Sequence, residues 1–206
     1  MIPNNDINNA VERKLKEIIF KDLKNSRGGW DLPHTETVVF YIKEIIKHSP
    51  NLKLVPNVLV IAAYAHDWGY ADYLGDNKTV NYDTIAQAKK NHMKAGAEKI
   101  SKLLDGPEFN SLSEQDKRRI AHLVKIHDEL DNIESIDERV LVEADTLGGL
   151  DINRAEPTFD KESNDKYMKE IKTLRKPLFV TDYGKNKLEE LFKLRKEHYA
   201  KRTNLG

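Results

Sequence analysis

The residues of this chain best suited to chemistry are histidines and aspartates that fall on apolar stretches. His66-Asp67 closes the run Val58-Leu59-Val60-Ile61-Ala62-Ala63-Tyr64-Ala65. A carboxylate withdrawn from water needs a cation or hydrogen-bond donors to compensate it. His34, His92, His127 and Asp145 recur at apolar positions elsewhere. Imidazole and carboxylate without sulfur suit Mn, Fe, Co, Ni or Zn and are poor ligands for Ca. The set therefore reads as a site for a divalent transition metal, one ion or two, and points to hydrolysis or oxygen chemistry.

Helical phase sorts the histidines, because residues three or four apart share a face. His34 lies with Val38, Tyr41 and Ile45, and His92 with Ile85, Ala88 and Gly96. His127 lies with Ile120, Leu123 and Val124, and Asp145 with Leu141 and Gly148. His122 shares a solvated stripe with Arg118, Lys125 and Glu129, about 140° from His127 around the axis. His48, near a helix end, and His198, among charges, are read with it as surface residues. No stripe of buried Lys or Arg opposes the six, so a bound cation is expected to balance them.

The elements that must position these residues are helices. An apolar stripe of Val11, Leu15, Ile18 and Ile19 predicts a first helix over 6–25, broken at Asn25-Ser26-Arg27-Gly28-Gly29. A second helix follows Trp30-Asp31-Leu32-Pro33 and ends at Ser49-Pro50-Asn51. The run over 57–67 is ambiguous by period, but its alanines and Pro56 favour a buried helix. A loop is expected over 69–81, then helices over 82–105, 114–130 and 136–149. The stretch 151–163 reads as irregular, and helices over 164–175 and 182–201 close the chain. No strand alternation and no repeat appear, so the fold class is all-α.

The chain has 206 residues, 39% of them hydrophobic, which suits one globular domain over 1–206. Its 34 basic and 34 acidic residues cancel. That balance gives no reason to expect a nucleic acid polymer or an anionic membrane as partner. With no cysteine, disulfides, thiolate catalysis and Cys-based zinc sites are excluded. The start Met-Ile-Pro-Asn-Asn-Asp lacks the pattern of a signal peptide, and no apolar run is long enough to span a membrane. A cytoplasmic protein is expected, with its oligomeric state unread.

In the order His34 … His66-Asp67 … Asp145, the chain resembles the HD-domain superfamily of metal-dependent phosphohydrolases over roughly residues 28–150. The setting Val-Leu-Val-Glu-Ala-Asp145-Thr-Leu-Gly-Gly is also similar to that family. His92, in Asn-His-Met-Lys-Ala-Gly-Ala, and His127, in Val-Lys-Ile-His-Asp, resemble the subgroup with an extended ligand set. The tail Lys-Pro-Leu-Phe-Val-Thr-Asp-Tyr-Gly-Lys is similar to that of small stand-alone HD hydrolases. The resemblance implies an HD-type helical bundle with added N- and C-terminal helices, the C-terminal extension covering about 151–206. It implies that His34, His66, Asp67 and Asp145 hold one metal, and that His92 and His127 hold a second with Asp67 bridging. His66 and Asp67 are the expected catalytic residues.

Trp68-Gly69-Tyr70-Ala71-Asp72 lacks the Glu-Asp continuation of alarmone hydrolases and the lysine of cyclic-di-GMP members, which sets those two activities aside. The expected reaction is metal-activated hydrolysis of a phosphomonoester or phosphodiester, with a nucleotide or another small phosphorylated metabolite as partner. Candidate phosphate contacts are Lys94, Lys125 and Arg154; Tyr70 and Asp72 border the expected pocket, Asp128 reads as solvated, and Asp151 has no assignable role. The alternative is an HD-fold di-iron oxygenase cleaving a C–C or C–P bond, which the same ligands would serve. A non-catalytic nucleotide-binding module is a third reading, against which the intact ligand series argues.

Overall fold

The computed structural model describes residues 8–72 and 82–203. The described residues form nine α-helices joined by short 3-10 and π segments, with no strand. The expected start of the first helix at residue 6, the loop over 73–81 and the side chain of Ile85 lie outside the described residues. No helix among the described residues is long and apolar enough to cross a membrane.

The centre of the bundle is α4 (Pro56–Ala65), which opens on a proline with no amide hydrogen to leave unpaired. Every residue from Val58 to Ala65 is buried. That explains why the run carries no period: a helix covered on all sides has no polar face. It packs against α3 (Asp31–His48) and α6 (Glu114–Ile126), and touches α7 (Ile136–Leu150) and α5 (Tyr82–Leu104). His66-Asp67, at its C-terminal end, is thus delivered into the middle of the molecule.

Two close approaches hold this framework together. A Cβ on Gly69 would lie 1.9 Å from the His92 carbonyl oxygen, so only glycine lets the 3-10 turn Trp68–Asp72 press on α5. A Cβ on Gly148 would lie 2.6 Å from Val38 Cγ2, so α3 and α7 meet there nearly backbone to backbone.

Two boundaries differ from the sequence pattern, and one expected break is found where the pattern put it. The first helix is not uniform: α1 (Asn9–Leu15) passes through a π turn, Lys16–Phe20, into α2 (Lys21–Leu23). The expected break after residue 25 is a 3-10 turn, Ser26–Gly29, in which Arg27 has φ 46°. A non-glycine residue in that left-handed region is strained by about 1–2 kcal/mol. Lastly, α8 (Lys161–Glu170) starts earlier than periodicity suggests, because Asp160 Oδ1 accepts the Ser163 amide at 2.7 Å and caps it.

The C-terminal segments are tied to α7 by buried polar contacts. Glu143 accepts the amide of Thr181 at 2.9 Å and its hydroxyl at 2.5 Å, fixing the entry to α9 (Asp182–Thr203). Asp151, which had no assignable role from sequence, accepts the Tyr41 hydroxyl at 2.7 Å where α7 ends.

The start of α7 is a capping box. Ser135 caps the helix and Glu138 reaches back to the amides of Glu134 and Ser135, both at 2.9 Å. Arg119 of α6 joins them through Glu138 at 2.8 Å and Asp137 at 2.6 Å. Burial works to raise the Glu138 carboxyl, but those donors outweigh it and bring it down from 4.5 to about 2. A carboxyl depressed in the fold contributes stability above its unfolded value, lost as pH falls toward the folded one. Glu138→Gln is therefore expected to cost about 1 kcal/mol at neutral pH. In urea melts that deficit should shrink as pH drops from 4.5 toward 2; a deficit independent of pH would refute the charged cap.

Candidate metal centre

Five helices each bring one part of the site. His34 stands in the first turn of α3, and His92 in the middle of α5. His66 and His127 occupy the equivalent place in two different helices, the C-cap of α4 and of α6. Asp67 follows His66, and Asp145 lies in α7.

His66 and His127 are oriented by the same device. Each Nδ1 donates to the carbonyl three residues back, Ala63 and Val124 respectively, both at 2.8 Å. That bond commits Nδ1 as the donor and leaves Nε2 facing inward. His34 Nε2 lies 3.3 Å from His66 Nε2, and His92 Nε2 lies 3.3 Å from His127 Nε2. Trp30 stacks on the His34 ring at 4.2 Å and Tyr70 on the His92 ring at 3.8 Å, which seals the flanks.

The six residues fall into two groups: His34, His66 and Asp145, and Asp67, His92 and His127. In each, the candidate ligand atoms lie within 4.8 Å of one another. Asp67 joins the two. Its Oδ2 is 3.5 Å from both His34 Nε2 and His66 Nε2, and its Oδ1 is 3.5 Å from His92 Nε2 and 3.6 Å from His127 Nε2. Imidazole lone pairs and carboxylate oxygens converging out of water fit cations and nothing neutral.

The electrostatics agree. Burial pushes His66 down, and burial with the nearby His127 brings His92 down to about 3. Both rings are therefore neutral, the state a metal needs. Burial also works against charge on His127, but the hydrogen bond to Asp67 and the charge of Asp128 outweigh it and raise it to about 9. Burial opposes ionisation of Asp67 and Asp145, yet their neighbours hold both well below the usual carboxylate range.

Those neighbours include buried arginines, which overturns the expectation that no cation opposes the six. Arg27, turned inward by its left-handed backbone, holds Asp31 and Asp67. Its guanidinium lies 3.9 Å over the Tyr70 ring. Arg175 lies in the π turn Ile171–Arg175 that follows α8. It pairs with Asp145 at 2.8 Å, Glu170 at 3.2 Å and Asp128. Asp128 is thus a buried partner of Arg175 rather than a solvated residue.

The predicted phosphate contacts are elsewhere. Lys94 points to solvent beside Glu98, Lys125 is exposed, and Arg154 lies over the Phe40 ring at 3.5 Å. Asp72 pairs with Lys99 at 2.9 Å, whereas Tyr70 does line the site. His48, His122 and His198 stay away from it, as expected. A pocket opens over the two groups, its walls including Arg27, Trp30, Tyr70, Phe159, Tyr167 and Arg175. Its cavity of about 80 Å³ has room for a few water molecules. Arginine within an otherwise helical, charged stretch gives no periodic signal; the only sequence cue was the Gly28-Gly29 pair after Arg27.

Removing one partner of a buried ionic cluster leaves the others uncompensated. Arg175→Met is expected to destabilise the chain by about 3–5 kcal/mol, because Asp128 and Asp145 lose their counter-ion. Added divalent metal should restore part of the loss in a thermal melt. A variant as stable as the parent would show that Arg175 does not neutralise the site.

Comparison with known families matches the chain to the HD domain over residues 32–183, well over half its length. The match continues beyond α7 through the segment carrying Arg175, which the sequence reading had treated as an extension. No curated protein and no solved structure matches the chain. With a His-Asp pair at the end of its central helix, a ligand-type cluster around it and this match, the chain belongs to the HD-domain family, a superfamily of metal-dependent hydrolases.

Proposed function

We propose that this protein is a dinuclear metal-dependent phosphohydrolase acting on a small phosphorylated metabolite. The observation that carries the reading is Asp67, whose two oxygens each face a different pair of histidines. A carboxylate so placed is suited to bridge two cations, with His34, His66 and Asp145 completing one site and His92 and His127 the other. Two divalent cations there would supply Lewis-acid activation of water and of the phosphoryl oxygens.

The rest of the chemistry falls to the chain's own side chains. His66 and His127 present Nε2 in a fixed ring orientation, because their Nδ1–H groups are tied to carbonyls. Arg27 and Arg175 hold Asp67 and Asp145 in place and bring positive charge to the pocket wall, where it favours phosphoryl oxygens. Trp30 and Tyr70 exclude bulk water from the flanks, which strengthens those interactions. The overall reaction adds water across the ester P–O bond and releases phosphate, or a phosphomonoester from a diester, with an alcohol.

Metal content decides first. Protein purified without chelator is expected to carry about two equivalents of a divalent metal per chain, and His92→Ala about one. Asp67→Ala should lose both and lower phosphate-ester hydrolysis by a factor of about 10³ or more. Two equivalents of iron with an oxygen-dependent reaction and no ester hydrolysis would replace this reading by the oxygenase. Metal must displace the proton that His127 retains below about 9, so metal affinity should weaken as pH falls from 9 toward 6 in metal titrations; affinity independent of pH over that range would refute His127 as a ligand.

A further inference from the structure

Three buried arginines border the pocket, and two of them have carboxylate partners. Arg27 has Asp31 and Asp67, and Arg175 has Asp128, Asp145 and Glu170. Arg195 has none among the described residues. It comes from α9, beyond the residues of the family match, and is only 2% exposed. Its Nε donates to Asn164 Oδ1 at 2.7 Å and its Nη1 to the Gly149 carbonyl, and the Tyr199 hydroxyl is a third neutral hydrogen-bond partner. The guanidinium lies 5.2 Å from the Tyr167 ring centre and 5.7 Å from that of Tyr199. Neutral oxygens and ring faces soften a buried charge without cancelling it. Burial accordingly lowers the proton affinity of this arginine, where those of Arg27 and Arg175 are raised.

Its position is defined by the helix it holds. Gly149 follows Asp145 on α7 by one turn, about 6 Å along the axis. Arg195, bonded to the Gly149 carbonyl, therefore lines the same pocket one turn away from the metal-facing floor. The Tyr167 ring stands beside it, so close to Gly149 that a Cβ there would lie 2.2 Å from the Tyr167 hydroxyl.

We propose that Arg195 is a second anion subsite, and that the substrate is a phosphate ester bearing another anionic group, phosphate or carboxylate, about one helical turn from the phosphoryl held over Asp67 and Asp145. The phosphoryl end of this assignment rests on the hydrolase reading; the anion subsite rests on Arg195 alone. A purely structural role, tying α9 and α8 to the end of α7, would need only the neutral hydrogen bonds to Asn164, Gly149 and Tyr199 and predicts no length-selective preference for a second anion.

Calorimetry with non-hydrolysable probes tests it on the Mn-loaded protein. Alkylphosphonates are compared with ω-phosphonoalkanoates of the same length, which differ only by a carboxylate. The parent protein is expected to prefer one length of phosphonoalkanoate over its alkylphosphonate by about tenfold or more. Arg195→Gln should reduce that preference to within about twofold while leaving alkylphosphonate affinity unchanged, and Arg195→Lys should recover part of it. No preference in the parent, or the same preference in Arg195→Gln, overturns the subsite. Should Arg195→Gln fail to fold, Arg195→Lys and the parent decide: a preference indifferent to probe length overturns it, because a fixed subsite selects a length. A length-selective preference without phosphate-ester turnover would keep the subsite and refute the hydrolase reading. Turnover without the preference would do the reverse.

Discussion

The structure depends on one buried carboxylate. Asp67 is withdrawn from water at the end of the most apolar helix in the chain, and a carboxylate there is stable only if every lone pair is answered. Four imidazoles and one guanidinium answer it. Each comes from a different element, so the requirement to compensate Asp67 organises α3, α4, α5, α6 and the turn at Arg27 around a single point. Packing and chemistry are the same constraint here: the glycines that let Trp68–Asp72 touch α5 and α3 touch α7 also set the distances among the ligands.

The buried carboxylates of the site are met by cationic side chains. Arg27 and Arg175 pair with the aspartates, and the hydrogen bond to Asp67 with the charge of Asp128 raises His127 to about 9 against burial. His66 and His92 are kept neutral by burial and stand ready as ligands. The left-handed backbone at Arg27 fits this picture, since local strain persists where surrounding contacts over-determine it, and here three contacts with Asp31, Asp67 and Tyr70 do so.

The C-terminal helices are part of the site. Glu143 fixes the entry to α9, and the π turn after α8 aims Arg175 at Asp145. A π turn inserts a residue's worth of rotation into a helix, which re-directs the side chains that follow. That rotation is why Arg175 could not be placed by counting along an ideal helix.

Much of the site was legible in the sequence. His34, His92, His127 and Asp145 sit on apolar stripes whose period predicts which way they face, His66 and Asp67 close an apolar run, and His122 was separated from His127 by its phase. The all-α class followed from the same periodicity, and boundaries such as Ser113 and Ser135 from side-chain caps that act locally. What the sequence could not determine were contacts between elements far apart in the chain. Lys94, Lys125 and Arg154 were the cations singled out, whereas the ones that enter the site are Arg27 and Arg175, which carried no signal as ligand partners. Only the tertiary structure decided which cations enter the core, since burying a guanidinium is stable only where carboxylates from other helices or a pocket wall meet it, and neither propensity nor period encodes that meeting.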